Sequence, residues 1–134
     1  KCKGVIYISG MGMQNNSDWA EEFNANSQKL DEPEFSLPED LNINYDVLNK
    51  GLRSFNEYIK KPMLFKDISM LDLPVLIIYG ADDIRPMWPA KQLANLLPHC
   101  MFKLFERTAH FIWEDRPNAF KETIFNWLDT IKTN

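Results

Sequence analysis

The chain has 134 residues, 45% of them apolar, and a formal net charge of −4 with both histidines neutral, which suits one domain with its own core. With 15 Lys and Arg against 19 Asp and Glu it offers no basic stripe for nucleic acid, and no apolar run approaches the roughly 20 residues needed to span a bilayer. A cytoplasmic protein without a cofactor is expected; the opening Lys1-Cys2-Lys3 lacks the apolar stretch of a secretory signal.

In chain order, the first element is a strand over 4–9, centred on Val5-Ile6-Tyr7-Ile8 and leaving through Gly10 and Gly12. A helical and irregular region follows, over 13–66. Asn15 to Glu22 suggests a helix start, 31–46 is rich in acids and prolines, and 46–60 is helical again. There Leu48, Leu52, Phe55 and Ile59 share a face despite Gly51 in mid-helix. Packing against a neighbour is the simpler use of that face; a lid over a pocket is the functional one.

A β-rich run from Val75 to Tyr79 then stops at Gly80 and delivers Asp82 and Asp83 into a loop, as where a buried parallel strand ends at an active-site rim. Gly80 is expected to supply a positive φ for a sharp exit. A helix over 88–97 and a strand over 101–105 follow, the latter ending in a loop with His110, one of two histidines. In the closing helix, 117–131, Phe120, Ile124, Trp127, Leu128 and Ile131 form one apolar stripe, with Pro117 suited to its first turn.

Two neighbouring loops at one sheet edge can bring Asp83 and His110 within hydrogen-bond reach. A carboxylate accepting the Nδ1 proton of a histidine fixes its tautomer and stabilises the imidazolium formed when the ring takes a proton from a serine. The serine is the missing part. A Gly-x-Ser-x-Gly elbow is absent. Ser9 comes nearest, but Tyr7 and Met11 stand where its glycines would be. The two cysteines precede strands separated by a third, about 9–10 Å apart at Cα, beyond disulfide reach; free thiols are expected. Two cysteines and two histidines without ligand spacing make a metal site unexpected.

With Gly80-Ala81-Asp82-Asp83 followed 27 residues later by His110, the sequence resembles the α/β-hydrolase superfamily, whose triad runs nucleophile, acid, histidine along the chain. The resemblance implies a fold class: α/β, the C-terminal part of an α/β-hydrolase, with three parallel strands, packing helices and a mostly helical cap. Residues 1–10 and 68–134 would be core and 11–67 the cap. It also favours Asp83 over Asp82 as the acid, since the acid usually ends a Gly-x-x-Asp turn. Ala109 replaces the glycine that usually precedes the histidine.

Within the superfamily, Asp83 to Pro98 and Ala109 to Pro117 look most like the proline iminopeptidase-like branch. In that branch cap carboxylates hold the substrate's free amino group, which makes Glu21 and Glu22 candidates, although an acidic pair on a helix is commonly a solvated face. Trp113, and with less reason Trp19 and Trp88, could line a pocket, although large aromatics are often core. His99 is expected at the surface.

The resemblance implies a fragment of a serine hydrolase acting on an ester, amide or peptide, supplying Asp83 and His110 and inactive alone. A non-enzymatic binding module derived from a hydrolase, or a complete small esterase using Ser9, are the alternatives. The outer edge of strand 4–9 would then be open to pairing, in a homodimer or with the missing half.

Overall fold

The computed structural model describes residues 2–13, 17–28 and 42–132. Residues 31–41 of the acid- and proline-rich stretch, and 14–16 before the first helix, lie outside them. The elements run β1 (Val5–Ile8), α1 (Ser17–Ser27), α2 (Tyr45–Tyr58), α3 (Leu64–Ser69), β2 (Val75–Gly80), α4 (Trp88–Leu96), β3 (Cys100–Phe105), α5 (Ile112–Asp115) and α6 (Pro117–Lys132).

The strands form one parallel sheet in the order β1-β2-β3. Val5 pairs with Val75 and Val75 with Cys100, and the register continues to Gly80 beside Phe105, so the loops carrying Asp83 and His110 leave the same end of adjacent strands. The middle strand is buried at every position. Its side chains alternate between two cores. Val75, Ile77 and Tyr79 meet Ala90 and Leu97 on the α4 side, while Leu76 and Ile78 meet Phe105, Ile112 and Trp127 on the α6 side. Burial on both faces explains why β2 reads as an unbroken apolar run, each Leu or Ile contributing about 2 kcal/mol.

The closing helix binds as its stripe predicts: Trp127 is buried, with Phe120, Ile124, Leu128 and Ile131 packed around it. Both cysteines are free. No described helix is long and apolar enough to cross a membrane.

Two features differ from the sequence reading. The face on α2 is engaged only at one end: Leu48 and Leu52 remain 47% and 45% exposed. Phe55 and Ile59 line an apolar cavity of about 270 Å³ with Tyr7, Met13, Leu64 and Leu93. Gly51 has nothing within 4 Å of where a Cβ would lie. Gly51→Ala is therefore expected to stabilise the chain by about 0.5–1 kcal/mol through helix propensity, seen as a higher urea midpoint. The second difference is α3, a short helix that the sequence did not distinguish. Its Leu64 is buried and its Ile68 packs on the α4-side core.

Candidate active site

Gly80 ends β2 beneath the histidine loop. Its φ is not the positive value expected from the sequence; the left-handed glycine is Gly12. The requirement is close approach instead. A Cβ on Gly80 would fall on the carbonyl oxygens of Thr108 and Ala109. The absence of a side chain lets the two loops cross.

The loops are then tied to one another. Ala81 N–H donates to the Phe105 carbonyl at 2.9 Å and Asp82 N–H to the Thr108 carbonyl at 3.0 Å. Beneath them, the Tyr79 hydroxyl donates to the Pro86 carbonyl at 3.4 Å, and Thr108 is buried. Beyond the crossing, Asp115 Oδ2 accepts the Ala109 N–H at 2.9 Å, bracing the backbone immediately before His110.

Within this frame His110 Nδ1 lies 2.8 Å from Asp83 Oδ2. The Asp83 side chain has no solvent exposure and that of His110 is 20% exposed. Since an ionised carboxylate only accepts, the Nδ1–H donates. Asp83 Oδ1 accepts the Arg85 backbone N–H at 2.9 Å and Arg85 Nη1 at 3.2 Å. Burial pushes the Asp83 carboxyl up, but the His110 bond, the Arg85 backbone bond, the His110 charge and the Arg85 side-chain bond together outweigh it and hold it below the ordinary carboxylate value. Tyr79 is pushed up, first by burial and then by the Asp83 charge, so it keeps its proton.

Of the two adjacent carboxylates it is Asp83 that meets the histidine, while Asp82 is exposed. Ser9 reaches the same corner. It has a left-handed φ of 46° and is buried, with its hydroxyl 3.5 Å from the His110 backbone carbonyl. That contact braces the loop, and it directs the hydroxyl at the main chain instead of the imidazole.

The other candidates are arranged around this pair. Trp113 is 42% exposed and meets Phe111 edge-on at 5.4 Å, and Phe111 in turn meets the His110 ring edge-on at 5.1 Å. Glu22 Oε2 accepts the Trp88 Nε1–H at 3.1 Å, joining α1 to the start of α4, and Glu21 is exposed on α1. Trp19 stacks on Phe23 within α1. His99 pairs with Asp72 at the opposite end of the sheet, both side chains largely exposed.

Arg85 and Asp115 were not singled out in the sequence. The Arg85 backbone bond is an Asx turn, two residues on from Asp83, and that spacing was a usable signal. Asp115 reaches back six residues from another element, where local pattern carries no information.

No protein-family model matches the sequence. Over 61 residues, 46% of this chain, it is 31% identical to a proline iminopeptidase of Lactiplantibacillus plantarum, of which the match covers 21%. A proline iminopeptidase of Levilactobacillus brevis is 30% identical over 61 residues, covering 46% of this chain and 20% of that protein. Among solved structures, an α/β-hydrolase enzyme from a lagoon-sediment metagenome of Mar Chica, Morocco, has a TM-score of 0.58 at 19% identity, covering 96% of this chain and 50% of that one. A monoacylglycerol lipase of Paleococcus ferrophilus has a TM-score of 0.57 at 19% identity, covering 98% and 60%. MenH from S. aureus has a TM-score of 0.56 at 18% identity, covering 97% and 60%. The chain therefore spans 50% to 60% of the length of these three structures. Three parallel strands in this order, with helices packed on both faces, give the chain the α/β-hydrolase fold of these structures over the part of it that the chain covers.

Proposed function

We propose that this chain supplies the acid and the histidine of a serine-type α/β-hydrolase that cleaves an ester or amide, including an aminopeptidase of the proline iminopeptidase type. The observation that carries the reading is the 2.8 Å bond from His110 Nδ1 to the fully buried side chain of Asp83. In that reading a serine hydroxyl outside this chain attacks the carbonyl while His110 Nε2 takes its proton. The imidazolium is stabilised by Asp83 and returns the proton to the leaving group. Neither the nucleophile nor an oxyanion hole is assigned to residues of this chain. Trp113 is proposed to line the substrate pocket, and Glu21 and Glu22 to face a substrate amine from the cap. The outer edge of β1, which pairs only with β2 among the described residues, would receive the strand that brings the serine, or a second copy of the chain.

A second reading, a complete small esterase using Ser9, rests on that residue's left-handed backbone and its closeness to the histidine loop. One experiment separates the two. The purified chain, treated with a fluorophosphonate probe, is expected to gain no mass. A stoichiometric adduct on Ser9 that disappears in His110→Ala would overturn the proposed division of the triad and establish the second reading.

A further inference from the structure

A buried carboxylate beside one histidine poses a charge problem. With no other cation nearby, the simplest way to offset the Asp83 charge is to protonate His110 on both nitrogens, and an imidazolium cannot act as a base. Tyr79, the titratable group beneath the loop, keeps its proton and adds no second negative charge. Arg85 does supply one. Its Nη1 is 3.2 Å from Asp83 Oδ1, and its own backbone N–H reaches the same oxygen at 2.9 Å.

We propose that Arg85 is a positioning residue for the acid–base pair: its guanidinium and backbone together occupy Asp83 Oδ1, leave Oδ2 to His110, and offset the buried charge so that the imidazole stays neutral. The inference rests on the reading of Asp83 and His110 as the acid and histidine of a hydrolase. The carboxylate is thereby held at both oxygens in one rotamer, and His110 Nδ1–H has one acceptor to find. The guanidinium is itself held from the cap side. Its Cζ lies 5.8 Å from the centre of the Phe23 ring on α1, and Asn26 Nδ2 on the same helix donates to the Ile84 carbonyl at 3.1 Å. The side chain is only 26% exposed, which limits the screening of its charge.

A simpler role for Arg85 would be to brace the loop. The backbone N–H does that whatever the side chain, and it is indifferent to charge. The test therefore reads charge. In the full chain labelled with nitrogen-15 at its two histidines, ring nitrogen shifts at neutral pH report tautomer and protonation. His99, at the far end of the sheet beside Asp72, is the internal reference. Wild type is expected to show His110 as the neutral Nδ1–H tautomer. Arg85→Gln, and Arg85→Met, which keeps an apolar stem against Phe23, are expected to raise the ratio of imidazolium to imidazole about tenfold, with His99 unchanged. Arg85→Lys, which keeps the charge, is expected to restore the wild-type pattern. Unchanged His110 shifts in both neutral variants, or equal disturbance in the lysine variant, would overturn the role given to Arg85. A wild-type His110 that is imidazolium would likewise overturn the role of Arg85, whereas a neutral Nε2–H tautomer would instead overturn the underlying reading of the Asp83–His110 pair.

Discussion

Gly80→Ala is expected to cost about 3 kcal/mol or more of stability and to separate Asp83 from His110. The added Cβ falls on the carbonyl oxygens of Thr108 and Ala109, and both are main-chain atoms that cannot rotate aside. Nor can the loop lift freely. It is held by the Asp82 N–H on the Thr108 carbonyl and by Asp115 on the Ala109 N–H, and Thr108 is buried. Overpacking of this kind ordinarily costs about 1–3 kcal/mol, and the upper end applies where the obstructing atoms are backbone. Urea unfolding gives the stability, and the His110 Nδ1–H signal reports the bond. An alanine variant with both unchanged would mean that the crossing of the loops tolerates a methyl group. Gly51→Ala is the contrasting case, where the same methyl meets open space.

Asp83→Ala is expected to destabilise the chain by about 2–3 kcal/mol, because it removes the acceptor of His110 and leaves the Arg85 guanidinium without its buried partner. Breaking a fully buried pair costs about 3–5 kcal/mol, and the partial exposure of Arg85 lowers that figure. The sign of the pH dependence follows from the direction of the shift. Burial raises the Asp83 pKa, but the bonds from His110 and Arg85 lower it more, so the folded value lies below the unfolded one near 4. The stabilisation is therefore complete above the unfolded value and is lost as pH falls through the folded one. Unfolding free energies of wild type and Asp83→Ala should differ most near neutrality and converge in acid. A gap that stays constant into acid would assign the loss to packing and not to the ionised carboxylate.

The elements that were plain in the sequence share a physical cause. β2 is apolar at consecutive positions because both of its faces are covered, and α6 carries a stripe because only one of its faces is. Loops at the ends of adjacent parallel strands must lie side by side, so the meeting of Asp83 and His110 was foreseeable from strand order alone. Helix α2 was harder to read. Its amphipathic pattern is real, yet Leu48 and Leu52 remain nearly half exposed while Phe55 and Ile59 line a cavity with Leu64 and Leu93. Periodicity states that a face is apolar; it does not state how much of that face meets a partner.

Gly80 marks the boundary between the two kinds of information. A glycine at the strand end was conspicuous in the sequence, and conformational freedom was the expected reason. The reason found is steric, since another segment of main chain passes over it. Ser9 and Asp115 follow the same division. Each bears on the Asp83–His110 corner through a contact from another element, Ser9 on the His110 carbonyl and Asp115 on the Ala109 N–H, whereas Arg85 meets the second oxygen of Asp83 from within the same loop. By itself the sequence determined the strand order, the covered faces and the placing of Asp83 and His110 on neighbouring loops, because these follow from local periodicity and chain order. Only the tertiary structure decided how the pair is held, because the groups that hold it come mostly from separate loops whose crossing no local pattern encodes.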